Sequence, residues 1–172
     1  MQRASNLQGR WWRNVVFFLT ALLIVASDQF SKVWIRSNLA LGQSLPETGF
    51  FRLTHVHNTG AAFGLFHGQS FILTIVALVG VATLLVCALF IYRQFPLLDN
   101  KLGKSALGLV LGGTVGNLID RLYFGYVTDF IDIGIWPAFN VADSAVVVGI
   151  IIFVYTLRPL AKGGKHEDGQ DI

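Results

Sequence analysis

The sequence predicts an all-α membrane protein, a bundle of four transmembrane helices with a small β-containing extracytoplasmic cap. Hydrophobic residues make up 53% of the 172-residue chain and charged residues 13%, too apolar a balance for a soluble domain of this length. Four apolar segments, at residues 15–35, 70–92, 105–121 and 140–158, each approach the roughly 20 residues needed to cross the hydrocarbon core. The longer connections between them alternate in charge, which orients the bundle and leaves residues 1–172 as one integral membrane domain.

The first segment follows Arg3, Arg10 and Arg13, and Val25-Ala26-Ser27 loosely suits a signal-peptide cleavage site. Apolar residues continue through Phe30, Val33, Trp34 and Ile35, which favours an uncleaved span. The second segment is the clearest, with no charge between His67 and Arg93. It contains the only cysteine, Cys87, so the chain has no disulfide framework and no thiol-rich metal site, and Cys87 reads as a small packing hydrophobe. The third segment spaces Gly108, Gly112 and Gly116 four apart, which stacks them on one helical face and lets a neighbouring backbone approach. That contact serves bundle packing and also positions Asn117 and Asp120 at the segment's polar end. The fourth begins after Pro137 with Asn140 as a possible cap.

Lys and Arg favour cytoplasmic loops. Arg3, Arg10 and Arg13, then Arg93, Lys101 and Lys104, then Arg158, Lys162 and Lys165 fall on one side, against Lys32, Arg36, Arg52 and Arg121 on the other. Both termini are therefore expected in the cytoplasm. The connections at residues 36–69 and 122–140 lie outside. Residues 50–56 partly alternate, predicting a short strand before a turn at Asn58-Thr59-Gly60. Tyr123, Tyr126, Trp136 and Phe139 suit an interfacial belt. The net charge of +3 is small and its basic residues lie at the ends and in short connections, which argues against nucleic-acid binding.

The chemistry lies in the acids. Asp28, Asp120, Asp129, Asp132 and Asp143 are all expected near the outer face, although an Asp at a helix centre costs about 2.5–3.5 kcal/mol to insert. Asp143 falls in the first turn of the fourth segment, where the helix dipole favours a carboxylate. Asp129 lies 14 residues earlier, and Gly134 and Pro137 break any helix between them, so the chain can fold back and bring the two together. Two such carboxyls share a proton, so one can activate water while the other protonates a leaving amine. Spacing alone does not select Asp129 over Asp120 or Asp132 as partner, and a capping Asp143 with a solvated loop Asp129 is the bland alternative.

Asp28 and Lys32 lie i,i+4 on one face and can neutralise each other, with Asp120 and Arg121 joining as structural charges. His55 and His57 share one side of a strand, with His67 nearby, but the loop supplies no matching acids, so no metal is expected. Ser31 and Lys32 are adjacent on a helix and face different ways, which argues against a serine-lysine pair.

These residues form a series: Asp28-Gln29-Phe30-Ser31-Lys32, Asn58-Thr59-Gly60-Ala61-Ala62-Phe63, Gly116-Asn117-Leu118-Ile119-Asp120-Arg121, Val127-Thr128-Asp129-Phe130 and Phe139-Asn140-Val141-Ala142-Asp143-Ser144. In that order, over almost the whole chain, they resemble bacterial lipoprotein signal peptidase, or signal peptidase II. The resemblance implies an aspartic endopeptidase of the inner membrane that removes signal peptides from diacylglyceryl-modified prolipoproteins, cutting before the lipidated cysteine. It places the catalytic dyad at Asp129 and Asp143 near the outer leaflet. It gives Asn58, Arg121 and Asn140 to binding the substrate backbone or holding the dyad, with Asn117 and Asp120 in support. Asp28 and Lys32 match the first-helix motif. His57 and Thr128 stand where many relatives carry Tyr and Val, and neither change removes a required donor or carboxylate. No cofactor is implied; the partners are the substrate and membrane lipid, and a monomer is expected. The competing class is a small proton-coupled carrier, since intramembrane acids also mark ion paths. A carrier favours midplane charges and repeat symmetry, whereas here the acids gather at one face and the halves do not repeat.

Overall fold

The structure is a computed structural model, described here for residues 2–60, 70–89 and 100–158, with side chains from residue 11 onward except that of residue 13. Helix α1 spans Gln2–Asn38, strands β1 and β2 span Ser44–Leu45 and Arg52–Asn58, and helices α2 and α3 span Ser70–Leu89 and Lys101–Phe124. Strand β3 (Val127–Asp132) and helix α4 (Val141–Thr156) follow. Ala61 to Phe63 of the second motif, His67, residues 90–92 of the second expected span, Arg93, Lys162 and Lys165 fall outside the described residues.

Three helices, at Asn14–Asn38, Ser70–Leu89 and Lys101–Phe124, are long and apolar enough to cross a membrane. Helix α4 is apolar but has 16 residues, about 24 Å at the helical rise. Helix α3 ends at Phe124 and α4 begins at Val141, within three residues of the expected bounds at 121 and 140. Helix α1 instead continues N-terminally to Gln2, and α3 begins at Lys101, so Lys101 and Lys104 belong to a helix and not to a connection. Asn100 caps α3 by accepting from the Gly103 amide at 2.8 Å, and the buried Lys104 donates to the Ala88 carbonyl in the last turn of α2.

Helix α3 is the axis of the bundle, packed against α1, α2 and α4. Its glycines explain how. A Cβ on Gly112 would sit 2.7 Å from the Ala21 carbonyl oxygen, and one on Gly116 would sit 2.6 Å from Asp28 Oδ2, so this face lies directly on α1. Gly113, on another face, abuts the Ala142 carbonyl of α4 in the same way. The predicted glycine contact therefore forms within one chain. Phe17, Ala21, Ala88, Leu107 and Leu111 fill the core beneath it, and Ile35, Leu39 and Phe130 form a second cluster under the cap.

The cap is a three-stranded antiparallel sheet in the order β1-β2-β3. Strand β2 forms where a strand was expected and ends at the expected turn, but its burial does not alternate: Thr54 and His55 are both buried beside a register shift between Leu53 and Val56, and Val56 is exposed. Strand β3 falls within the expected connection at residues 122–140: Val127, Thr128, Asp129 and Phe130 are all buried, so period-two alternation is absent. After β3, Gly134 adopts φ 73°, a left-handed conformation that glycine tolerates, and its amide is held by Asp132 Oδ1 at 2.7 Å. The chain then reverses, and Phe139 exchanges backbone bonds with Ile131 at 2.7 and 3.0 Å. That reversal delivers Asn140 and α4 beside Asp129.

Candidate active site

Asp143 occupies the third position of α4. Its amide donates to Asn140 Oδ1 at 2.9 Å and its Oδ2 accepts from the Asn140 amide at 3.2 Å, a reciprocal capping box. Its other oxygen accepts from Asn117 Nδ2 at 2.8 Å. The capping alternative is thus real, and it leaves Asp143 at the same place as the expected chemistry.

Asp129 is not a solvated loop residue. It is buried in β3 opposite Val56, two register positions from Asn58, and its two oxygens accept from Asn58 Nδ2 at 2.8 Å and Asn140 Nδ2 at 2.7 Å. Asn140 is the joint of the site: its backbone bonds Asp143 while its side chain bonds Asp129. Burial and the neighbouring Asp143 charge push the Asp129 carboxyl up to about 7, against the opposing hydrogen bonds from Asn58 and Asn140 and the more distant Lys32 charge. A carboxyl in that range exchanges a proton near neutral pH.

The other acids are already committed. Asp132 pairs across the strands with Arg52 at 2.5 Å, both partly exposed. Asp120 accepts the Thr128 amide at 2.9 Å and lies 3.3 Å from Lys32 Nζ. Asp28 lies 2.8 Å from Lys32 Nζ and accepts the Ala142 amide at 3.0 Å. Of Asp120, Asp129 and Asp132, among which spacing leaves the choice open, Asp129 alone shares a hydrogen-bonding neighbour with Asp143 among the described residues, namely Asn140.

Asn117 receives Lys32 Nζ at 2.9 Å and Asn140 Nδ2 at 3.1 Å on its carbonyl oxygen, which leaves its NH₂ for Asp143. Arg121 reaches the Gly60 carbonyl at 3.4 Å and lies within electrostatic range of Asp143, Asp129 and Asp120. Every residue expected at the site is thus in one cluster. Three others were not assigned a role from sequence. Gln29 Nε2 bonds Gly116 O at 3.0 Å and Asp28 Oδ2 at 3.1 Å. Arg36 donates to Thr128 Oγ1 at 3.0 Å and lies 3.5 Å from Asp120. Thr128 itself is buried, its backbone held by Asp120 and its hydroxyl by Arg36. The i,i+4 spacing of Lys32 and Arg36 was the available signal for Arg36, one helical turn further along the same face.

His55 Nδ1 donates to the Leu39 carbonyl at 2.9 Å, and His57 stacks on Tyr126 at 3.6 Å between ring centres. Its own desolvation, then His55 and Arg36, push His57 below the usual imidazole range. Among the described residues, no group of three or more His, Cys, Asp or Glu is arranged to hold a metal ion.

Known proteins share this arrangement of chain. A lipoprotein signal peptidase of Dehalococcoides mccartyi is 47% identical over 158 residues, covering 91% of this chain and 98% of that protein. One from Moorella thermoacetica is 50% identical over 153 residues, covering 87% and 98%. Two solved bacterial membrane enzymes superpose with TM-scores of 0.74 and 0.71 at 28% and 31% identity, covering 91% and 82% of this chain and 93% and 91% of theirs. The profile described as Signal peptidase (SPase) II matches residues 20–158. With the fold shared over nearly its full length, the chain belongs to the signal peptidase II family of membrane peptidases.

Proposed function

We propose that the protein is an aspartic endopeptidase that removes the signal peptide of diacylglyceryl-modified prolipoproteins, cutting on the N-terminal side of the lipidated cysteine, with Asp129 and Asp143 as its dyad. The observation that carries the reading is Asn140 holding both carboxyls while Asp129 exchanges its proton near pH 7. Relatives named lipoprotein signal peptidases supply the substrate class.

In this mechanism Asp143, at the positive end of the α4 dipole, is the ionised partner and takes a proton from the attacking water. Protonated Asp129 hydrogen-bonds the scissile carbonyl oxygen and transfers its proton as the hydroxyl adds. The tetrahedral diol then collapses. Asp143 gives its proton to the leaving amine of the lipidated cysteine, Asp129 recovers the diol proton, and both carboxyls return to their starting states. Asn58 and Asn140 keep Asp129 oriented, and Arg121, beside Gly60, is placed to bind substrate backbone.

All four helices cross the inner membrane in this reading, with both termini cytoplasmic and the sheet on the extracytoplasmic side. Exposed Leu41, Phe50, Phe51 and Ile135 on the cap suit contact with the outer leaflet, which would hold the acyl chains of the substrate beside the bundle. The glycine faces of α3 are used up within one chain, which supports a monomer. Peptidase relatives leave the carrier reading without support.

The test is cleavage of a diacylglyceryl-modified prolipoprotein by the purified chain in detergent, with wild type, Asp129→Asn and Asp143→Asn compared. Wild-type cleavage before the lipidated cysteine, lost in both variants, is expected. Retained cleavage in either folded variant overturns the dyad.

A further inference from the structure

Lys32 is fully buried, and its ammonium has three protons and three acceptors: Asp28 Oδ2 at 2.8 Å, Asn117 Oδ1 at 2.9 Å and Asp120 Oδ2 at 3.3 Å. Each carboxylate it holds performs the same second task. Asp28 accepts the amide of Ala142, the residue before Asp143, and Asp120 accepts the amide of Thr128, the residue before Asp129. The backbone on the N-terminal side of each proposed catalytic aspartate is therefore pinned by a carboxylate that Lys32 grips. The third contact matters differently. An ammonium only donates, so it forces the Asn117 carbonyl oxygen toward itself and the NH₂ toward Asp143. The same oxygen receives Asn140, which bonds Asp129.

We propose that Lys32 is a positioning residue for the dyad: it fixes the separation of Asp129 and Asp143 through Asp28 and Asp120, and fixes the donor face of Asn117 toward Asp143. This rests on the dyad reading and adds to it the reason that a buried cation sits behind two acids. Around it the charged groups are Asp28 and Arg36 of α1, Asp120 and Arg121 of α3, Asp129 of β3 and Asp143 of α4. Without the cation, the Asn117 amide is free to turn its oxygen to Asp143, and the local charge becomes more negative.

Two variants separate those effects. Lys32→Met keeps the length of the side chain and removes its charge; because it leaves Asp28 buried without its partner, it is paired with the double variant Asp28→Asn/Lys32→Met, in which the amide oxygen can still accept from Ala142 and no charge is stranded. Cleavage of a diacylglyceryl-modified prolipoprotein is measured from pH 5 to 9, per mole of protein that elutes as a folded monodisperse peak. Lys32→Met should move the alkaline limb of kcat/KM up by roughly one pH unit, because an ionised Asp129 loses a nearby cation. The double variant should return that limb toward wild type while kcat stays roughly 100-fold low with KM nearly unchanged, the cost expected of a misplaced catalytic group. A folded double variant with wild-type kcat overturns the proposal, as does a Lys32→Met limb that does not move. Asp129→Asn and Asp143→Asn run alongside: if they remain active, the dyad reading itself has failed, whereas inactive dyad variants with an unaffected double variant reject Lys32 alone.

Discussion

Replacing Asp129 by Asn should stabilise the folded protein at alkaline pH while ending cleavage. In the unfolded chain an aspartate ionises at its ordinary 3.8, but the folded site holds Asp129 up to about 7, through its burial first and the Asp143 charge second. The folded state therefore keeps a proton that the unfolded state has already released. The neutral form carries no penalty below pH 3.8, and stability is lost as pH rises through the folded value. Fully developed, the penalty is on the order of 4 kcal/mol, and roughly 2–3 kcal/mol of it accrues between pH 5 and pH 8. Asn cannot titrate, so the variant escapes this loss. It also turns one oxygen into an NH₂ that faces the donors of Asn58 or Asn140, which costs stability at every pH. Comparing the two proteins at two pH values cancels that constant cost. Thermal unfolding in one detergent should show the difference in Tm between variant and wild type moving in favour of the variant by roughly 5–10 °C from pH 5 to pH 8. A pH-independent difference would refute the idea that burial and Asp143 hold Asp129 protonated, even if the variant were inactive.

Cleavage by the wild type should fall as pH rises through about 7, because the protonated Asp129 that engages the carbonyl is lost; a pH profile of kcat/KM with a flat alkaline side would contradict its role as the acid. Asp132→Asn should leave cleavage within about twofold and stability within about 1 kcal/mol, since its pair with Arg52 is partly exposed, and a kinetic and thermal comparison with wild type checks both. Gly112→Ala should destabilise by about 1–3 kcal/mol, because the new methyl would fall 2.7 Å from the Ala21 carbonyl and 2.8 Å from the Ile24 Cβ, and the helices must part; an unchanged denaturation midpoint would remove the close-packed α1–α3 contact from the account. Asn140→Ala should cost about 0.5–2 kcal/mol as a lost cap and should also release Asp129, so its loss of kcat should exceed what unfolding explains when activity is referred to folded protein.

The helices were legible because the membrane requires long apolar runs, and the outer ends of those runs were marked by charge. The cap was half legible. Residues 50–56 alternate in part and a strand does form at Arg52–Asn58, although its burial does not follow that alternation, whereas Val127, Thr128, Asp129 and Phe130 are all buried, so nothing in their pattern separates a strand from a connection. Asp143 could be placed from its Asn140 cap, a local motif four residues long. The residue proposed as its partner could not, because the choice among Asp120, Asp129 and Asp132 depends on contacts that span 71 residues for Asn58 and Asp129 and 80 for Arg52 and Asp132. The family resemblance names Asp129 where local chemistry leaves the choice open.

The same distinction sorts the acids by their partners. Five aspartates near one membrane face looked like five candidates for chemistry, yet they divide by what their oxygens already do. Asp28 and Asp120 hold backbone amides and a buried ammonium, so their lone pairs are spent on structure. Asp132 faces a partly exposed guanidinium and ends a hairpin. Asp129 and Asp143 accept mainly from carboxamides, which are neutral, and neither carboxyl has a cation in its hydrogen-bonding set among the described residues. A neutral donor orients a carboxyl without pinning it in the ionised state. In the proposed dyad, positioning and proton exchange thus fall to different residues: Lys32 gathers the acids that hold backbone amides, and asparagines hold the two acids proposed to exchange a proton.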